Sequence, residues 1–305
     1  MLVARINLAA CSTSHHEFGK EFMLTKLAPL RQWLQRRWLY PFISICAISV
    51  VTIGQAQMSQ AGDEWLRLLL QGAQYVQLAN MSDAQEATLG GQINQELANG
   101  QVKIYTNPIA NAYVNRIGQQ LARNSARPNI KYTFQIVEDD NINAFATMGG
   151  FVYVNTGVLK AADNEAQLAG VIGHEIGHIT GRHALQHMKQ SALTQGISTL
   201  AGVDRDKIVQ IGVQVALTLP NTRQDEYDAD RRGLTTMIQS GYAPTAMPEF
   251  MKKLIKDGSA PEFLSSHPGV KERVANLQRI IPAAYQNRTA GLNTSTYKQQ
   301  LQRFF

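Results

Sequence analysis

Apolar residues recur at helical spacing along much of the chain, and this pattern predicts a protein built mainly of helices. Three such segments come early, at residues 63–81, 82–100 and 109–123. Side chains three or four positions apart share one face of a helix, so each segment can bury one apolar face in a core. The face expected to be buried in the third segment consists of Ala112, Val114, Ile117 and Leu121.

The hydrophobic period shortens after the third helical segment, where strand-like alternation replaces helical spacing. Tyr132, Phe134 and Ile136 lie two positions apart, as they would on one face of a strand. Two further short runs, at residues 143–147 and 151–155, flank a Gly-Gly pair. The Gly-Gly pair alone indicates only a turn, but with a strand-like run on each side it predicts a hairpin.

Helical spacing then returns and continues through the segments that carry the candidate chemistry. Residues 163–165 are typical of a helix start. Residues 191–219 are largely apolar, but charged residues at 204–207 interrupt them and exclude a transmembrane span. This apolar stretch fits either core packing or a helical hairpin that covers a site. A further helix is predicted over residues 220–241, and residues 265–273 lead into another.

Composition and charge favour a globular protein that does not bind nucleic acid. The 305 residues are 44% hydrophobic and 17% charged, which is typical of folded domains. The net charge is +6, but residues 1–56 hold six basic and two acidic residues, so that only +2 remains for the rest of the chain. A nucleic-acid-binding protein carries its positive charge on the folded domain, and this chain does not.

The basic N-terminal segment precedes an apolar run of fourteen residues at 41–54. That run is too short to span a bilayer comfortably, and the order of basic, apolar and small residues is typical of a secretory signal. We predict a signal peptide over residues 1–56, with Met23 as an alternative start, on an exported protein that is periplasmic or membrane-associated. An uncleaved N-terminal anchor is the alternative. Cys11 and Cys46 both lie inside the predicted signal, so the mature chain would offer no thiolate ligand.

The segment His174-Glu175-Ile176-Gly177-His178 carries the main candidate chemistry. On a helix, residues four apart lie on the same side and about 6 Å apart along the axis, so the two histidines can bind one metal ion. Glu175 can then reach a water molecule at that ion and act as a general base. Histidines on an apolar helix face can also be ordinary core residues. His183 and His187 follow at the same spacing, and we expect them at a helix end or in contact with the metal ligands.

Glu226 and Asp230 are the candidates for the third ligand that a metal site would need. They lie four positions apart and so share one face of the predicted helix over residues 220–241. An acidic helix face is normally solvated, but Gly233 is small where two helices would have to approach each other. Gly173 and Gly177 likewise lie on one side of the motif helix, where a neighbouring element or a substrate could come close.

Three separated pieces of the chain together resemble the gluzincin metallopeptidase family, which includes the CAAX prenyl protease and periplasmic proteases of the BepA and LoiP type. The pieces are residues 174–178, residues 226–230, and His267-Pro268 with Arg273, within a likeness that covers residues 63–285. The resemblance implies an α+β, zincin-like fold that is mainly helical, with a small sheet whose edge strand faces the active-site cleft. It implies a catalytic domain over residues 57–285, followed by a short polar tail over residues 286–305.

The family pattern implies a role for each matching residue of the metal site. His174, His178 and Glu226 would bind one Zn²⁺ ion per chain, and Glu175 would be the catalytic base. Asp230 would hydrogen-bond a metal-binding histidine and fix its orientation.

Outside the metal ligands, the resemblance implies a substrate site and a residue that closes it. His267 would approach the metal and shut the site, and Arg273 would either form a salt bridge or contact the transition state. An extended substrate would dock beside the edge strand. The strand residues expected there are Asn143, Ala144, Phe145 and Ala146.

The implied function is an exported zinc-dependent endopeptidase that hydrolyses misfolded or misassembled envelope proteins. Polypeptide substrates, and contacts to outer-membrane or membrane-assembly machinery, are the expected partners, and the sequence predicts no oligomeric state. The alternative is a periplasmic chaperone or assembly factor whose protease site is largely shut. No further apolar span and no helical repeat follow the predicted signal, so we expect a stand-alone catalytic domain similar in layout to LoiP.

Overall fold

The computed structural model describes residues 81–196, 205–257 and 261–305. The predicted signal peptide, both cysteines and all but the last residue of the first predicted helix lie outside the described residues. Within these ranges the chain forms three strands and eleven α-helices. The helices are α1 (Asp83–Glu96), α2 (Pro108–Arg123), α3 (Thr156–Ala161), α4 (Glu165–Gly181), α5 (His183–Thr194), α6 (Arg205–Thr218), α7 (Arg223–Gln239), α8 (Ala246–Asp257), α9 (Pro261–Ser266), α10 (Val270–Ile280) and α11 (Thr294–Phe304).

The strands form one small sheet in the order β1-β3-β2. They are β1 (Thr133–Val137), β2 (Ala144–Thr147) and β3 (Phe151–Asn155). β2 and β3 are antiparallel and joined by a tight turn at Met148–Gly150, whereas β1 runs parallel to β3. The predicted strand and hairpin are therefore confirmed, as is the expectation of an α+β protein that is mainly helical.

β2 lies at the edge of this sheet, and half of its backbone groups face away from β3. The amide of Asn155 on β3 donates to the carbonyl oxygen of Asn143, just before β2. Because hydrogen-bonding direction alternates along an antiparallel strand, the backbone groups of Ala144 and Ala146 point to the opposite edge. An edge of this kind is the feature that lets a sheet accept an additional strand.

Polar caps explain where several of the helices begin, including the two that carry the candidate site. Ser82 and Thr222 each form a capping box, with Gln85 at the start of α1 and Asp225 at the start of α7. The side chain of Asn164 accepts a hydrogen bond from the amide of Gln167 and caps α4. These caps lie at the helix starts that the sequence predicts.

The buried face of α2 differs by one position from the prediction. Ala110, Val114, Ile117 and Leu121 are fully buried, whereas Ala112 is exposed. The prediction for Ala112 was wrong because positions 110, 114, 117 and 121 follow the alternating steps of four and three residues that keep one helix face towards a core.

α4 and α7 approach each other more closely than ordinary side chains would permit. A Cβ atom added at Gly177 would lie 2.4 Å from the carbonyl oxygen of Ala229, and one added at Gly233 would lie 2.8 Å from that of Gly173. Small residues therefore bring the two backbones together, as the spacing predicted. This contact places the histidine-bearing helix directly beside the helix that carries Glu226 and Asp230.

Two hydrophobic clusters surround these helices. The larger one packs α2, α4, α8, α10 and α11 against one another and against the sheet. The smaller one joins α1, α5 and α6 through residues such as Ile93, Met188 and Ile211. The described parts of the apolar stretch 191–219 thus form helices with their own small core, and Val215–Leu219 also lines a cleft. Core packing and the covering of a site, the two interpretations of that stretch, are therefore each partly correct.

The chain after residue 285 differs from the short polar tail expected there. Residues 294–304 form α11, and its Tyr297 and Phe304 are buried. The hydroxyl of Tyr297 donates to the carbonyl oxygen of Leu159 at 2.8 Å. This segment is thus packed onto the domain. Among the described helices, none combines the length and apolar character needed to cross a bilayer.

Candidate active site

The two histidines of the motif point their ring nitrogens at a common position. α4 is buried along almost its whole length, and only 2% of His174 and 5% of His178 is exposed. Their Nε2 atoms lie 3.0 Å apart. Burial lowers the pKa of His178 to about 3, so its imidazole is neutral and keeps a lone pair for a metal ion.

Two further side chains complete the cluster. One carboxylate oxygen of Glu226 lies 3.2 Å from Nε2 of His178, and the other lies 3.4 Å from Nε2 of His174. Nδ1 of His267 lies 3.2 Å from both of these oxygens and 3.3 Å from Nε2 of His174. Although burial opposes ionisation of Glu226, His267 and His174 hold the pKa of its carboxyl well below the ordinary range.

These distances fit a metal ion. Four ligand atoms placed tetrahedrally about 2.0–2.1 Å from a zinc ion are separated from one another by roughly 3.3 Å. Five separations among these side chains lie between 3.0 and 3.4 Å, with Glu226 facing His174 and His178 through different oxygens. One ligand atom from each of the four residues lies within 4.8 Å of the others. Within the described ranges, the group of buried side chains that could hold a metal ion consists of His174, His178, Glu226 and His267. His267 occupies the fourth corner, where a water molecule or a substrate would otherwise bind.

Glu175 lies next to this cluster and faces the cleft. Only 1% of the residue is exposed, and its Oε1 atom has no hydrogen-bond partner among the described residues. Burial raises the pKa of its carboxyl. Nε2 of His267 lies 3.8 Å from Oε1. A buried carboxylate with a raised pKa and an oxygen that accepts no hydrogen bond has the properties of a general base.

Asp230 and Arg273 support the cluster from behind. Oδ1 of Asp230 lies 3.0 Å from Nδ1 of His174, opposite the nitrogen that faces the metal position. Arg273 is 0% exposed and donates to both oxygens of Asp230 at 2.7 Å, and it also contacts the carboxylate of Glu226. Of the two roles expected for Arg273, the structure shows the salt bridge.

A cleft of about 240 Å³ opens above the cluster. The strand side is formed by residues 143–146 and the opposite side by residues 215–221, with Glu175, His178 and His267 between them. Nε2 of His267 lies 3.2 Å from the carbonyl oxygen of Ala144, on the free edge of β2. The expected edge strand therefore does face the cleft, and one of its outward groups is already hydrogen-bonded within the chain.

Comparison with known proteins identifies this arrangement. The sequence profile of Peptidase family M48 matches residues 108–281, which include every residue of the cluster. The chain belongs to Peptidase family M48. The resemblance to gluzincin metallopeptidases is thereby confirmed, as are the zincin-like fold and the assignment to a family of metal-dependent peptidases.

Several curated proteins are 29–31% identical to this chain over the residues that align with it. The Beta-barrel assembly-enhancing protease of Escherichia coli K12 is 29% identical over 217 residues, which are 66% of this chain and 44% of that protein. A Vibrio cholerae protein called a Putative beta-barrel assembly-enhancing protease is 31% identical over 63% of this chain and 43% of its own length. The Mitochondrial metalloendopeptidase OMA1 of Schizosaccharomyces pombe is 29% identical over 56% of this chain and 53% of its own length. The chain thus spans less than half the length of the bacterial relatives.

The structure also shows cleft contacts that the sequence did not predict. Nδ2 of Asn221 lies 3.5 Å from Nε2 of His178, while the backbone amide of Asn221 donates to the carbonyl oxygen of Ser266. The side chain of Asn143 donates to Glu262 at 2.9 Å. In the sequence Asn221 indicated only a helix start, because its proximity to α4 depends on how the M48 fold packs α7 against that helix.

Replacing Glu226 with Gln should remove metal binding from this M48 site. Loss of a residue that hydrogen-bonds a metal ligand weakens metal affinity by about 10- to 100-fold. Loss of a charged ligand itself should therefore weaken the affinity by more than about 100-fold. Competition with a chromophoric chelator measures the affinity. Glu272→Gln, an exposed change on α10, should leave the affinity unchanged. Equal affinity in Glu226→Gln and the unmodified chain would exclude Glu226 as a ligand.

Proposed function

We propose that this chain is a zinc-dependent endopeptidase. The observation that carries the proposal is the set of ligand atoms on His174, His178 and Glu226, placed at metal-site distances beside Oε1 of Glu175, which accepts no hydrogen bond from the described residues. Membership of the M48 family and the metalloendopeptidase name of one relative support it.

The edge of β2 is the proposed docking site for the substrate. An extended peptide can pair with the outward backbone groups of Ala144 and Ala146, which contributes binding without demanding a particular side-chain sequence. A scissile bond held along β2 would lie in the cleft that Glu175 and His178 line.

Glu175 is the proposed catalytic base. A zinc ion held by the three ligands would polarise the peptide carbonyl and lower the pKa of water to about 7. Oε1 of Glu175 accepts a proton from the attacking water molecule, and the resulting carboxyl then donates that proton to the leaving amine. Asp230 keeps His174 oriented throughout, because Arg273 holds both of its oxygens.

Casein hydrolysis by the full chain tests the proposed activity. We expect cleavage that a chelator abolishes and that added Zn²⁺ restores. Metal binding without cleavage, in the unmodified chain and in a variant with an opened site, would contradict the endopeptidase and favour the alternative of a chaperone with a shut site.

His267 is the proposed residue that shuts the site, and His267→Ala should raise casein hydrolysis. One ring nitrogen occupies the fourth corner of the cluster and the other holds the carbonyl oxygen of Ala144. Hydrogen bonds that involve charged groups contribute about 1.5–3 kcal/mol, so their removal should raise the rate by about tenfold or more. The double variant Glu175→Gln/His267→Ala is the control and should not cleave casein. An unchanged rate in His267→Ala would show that this histidine does not limit access.

We further propose that the substrates are misfolded or misassembled proteins of the cell envelope and that the chain is exported. The basic-apolar order of residues 1–56 and the names of the bacterial relatives, which refer to β-barrel assembly, support this. In this proposal the catalytic domain begins near residue 57 and, beyond the expected boundary at 285, includes α11, whose Tyr297 and Phe304 lie in its core. N-terminal sequencing of the mature protein tests export, and a mature protein that still begins before Lys20 would contradict cleavage of the signal.

A further inference from the structure

The second metal-binding histidine has an unusual partner behind it. Nδ1 of His178, the nitrogen that faces away from the metal position, lies 2.9 Å from Nδ1 of His183. Only 4% of His183 is exposed, and the two rings are nearly perpendicular, with centroids 5.1 Å apart. In contrast, the corresponding nitrogen of His174 faces the carboxylate of Asp230. The Nδ1 atoms of the two metal histidines therefore have chemically different partners, an imidazole for His178 and a carboxylate for His174.

The backbone between α4 and α5 is shaped to bring the two rings together. Arg182 links the helices in the left-handed region, with φ 56° and ψ 32°, which residues other than glycine rarely adopt. This turn folds His183, the first residue of α5, back onto the last turns of α4. A Cβ atom at Gly181 would lie 2.3 Å from Nε2 of His183, so a glycine there leaves room for the ring.

The surroundings of His183 determine which of its nitrogens carries the proton. Nε2 of His183 lies 3.3 Å from Oδ2 of Asp228 and 3.8 Å from Oδ1 of Asp225. Arg231 and Arg232 also contact the carboxylate of Asp228, which keeps it ionised. A carboxylate accepts hydrogen bonds only, so Nε2 of His183 carries the proton and donates it towards Asp228. Nδ1 of a neutral His183 is then an acceptor.

We propose that His183 is a positioning residue of the metal site: its Nδ1 accepts a hydrogen bond from Nδ1–H of His178. That bond fixes the tautomer of His178, so that the lone pair of Nε2 points at the metal position. The inference rests on the metal site of the proposed function. It goes further in assigning a role to the α4–α5 turn and to Asp228, neither of which touches the metal or the substrate.

Two substitutions separate this role from simple packing. His183→Phe keeps an aromatic ring against Gly181 but removes the acceptor, whereas His183→Gln loses the ring and keeps an acceptor oxygen. Loss of such a partner weakens metal affinity by about 10- to 100-fold, so we expect a loss of that size in His183→Phe and less than about tenfold in His183→Gln. A purely structural role predicts the reverse order, because only the ring would matter.

Zn²⁺ affinity, measured on the full chain by competition with a chromophoric chelator, is the readout. His187→Phe is the matched control and should bind Zn²⁺ normally, because His187 lies one turn further along α5 and contacts Asp225 instead of a metal ligand. Thermal unfolding of the metal-free variants shows whether each one folds. If His183→Phe does not fold, Gly181→Ala provides the second variant: its added methyl group should push the intact His183 ring off His178 and weaken Zn²⁺ binding.

The absorption spectrum of the Co²⁺-substituted protein provides an independent check, because its d–d bands respond to ligand geometry. We expect the d–d bands of His183→Phe to differ from those of the unmodified chain, and the bands of His187→Phe to be the same as in that chain. If the unmodified chain binds no Zn²⁺, the proposed function fails. If it binds Zn²⁺ and both His183→Phe and Gly181→Ala bind it equally well, the role of His183 is overturned while the proposed function stands.

Discussion

Glu175→Gln is expected to lower casein hydrolysis by about 10²- to 10⁴-fold, which is the usual contribution of a positioned general base. The amide has nearly the same size and shape as the carboxylate, but it cannot accept the proton of the attacking water molecule. Oε1 of Glu175 accepts no hydrogen bond from the described residues and lies 3.8 Å from Nε2 of His267, so the substitution breaks no hydrogen bond of that atom. The loss should therefore appear in the rate and not in folding.

The same variant should bind Zn²⁺ as tightly as the unmodified chain. Glu175 contributes no atom to the set of His174, His178, Glu226 and His267. The comparison is best made with His267→Ala present in both proteins, so that a shut site does not mask the difference. Glu249→Gln, an exposed change on α8, is the control for the general effect of the substitution. Substantial cleavage by Glu175→Gln would assign the base elsewhere.

Arg273→Met is expected to lower the free energy of unfolding of the metal-free protein by about 3–5 kcal/mol, the cost of breaking a buried ion pair by removing one partner. The guanidinium group is completely buried and contacts the carboxylates of Asp230 and Glu226. Methionine fills much of the space but leaves both carboxylates without this cation. Each of these charges is then buried with fewer compensating partners, which is the source of the loss.

Urea unfolding monitored by circular dichroism measures this change in stability. Arg279→Met, on the exposed side of the same helix, should change the free energy of unfolding by less than about 0.5 kcal/mol. Arg273→Lys keeps the charge but cannot bind Asp230 through two parallel hydrogen bonds. Its free energy of unfolding should therefore lie between those of Arg273→Met and Arg279→Met. A stability of Arg273→Met close to that of Arg279→Met would show that these ion pairs do not stabilise the fold.

The sequence predicts those parts of the site that depend on local helix geometry. His174 and His178 are brought together by one turn of α4, and the four-residue spacing alone places their rings on one side. The small residues at Gly173, Gly177 and Gly233 predict the close contact between α4 and α7, because only such residues permit it. The resemblance to the gluzincin metallopeptidases implies that Glu226 binds the metal and that Asp230 orients a histidine.

A contact that depends on a chain reversal is predicted only in part: the spacing of His183 left open a helix end or a contact with the metal ligands, and the structure shows both. His183 lies beside His178 because Arg182 adopts a left-handed conformation, and arginine gives no signal for such a turn. The sequence does carry a signal for the last helix, because Tyr297, Leu301 and Phe304 follow the spacing of a buried helix face. The polar residues between them led instead to the expectation of a tail.

The two hydrogen-bonding directions of His267 have a consequence for how metal and substrate affect each other. The same ring contacts the metal-ligand cluster through Nδ1 and the docking edge through the carbonyl oxygen of Ala144. A peptide that pairs with this edge must displace the ring, and a displaced ring also vacates the fourth corner. If His267 shuts the site as proposed, binding of peptide and of metal-bound water would be thermodynamically linked, and each would favour the other by the same factor. The substrate itself would be the activator of this site.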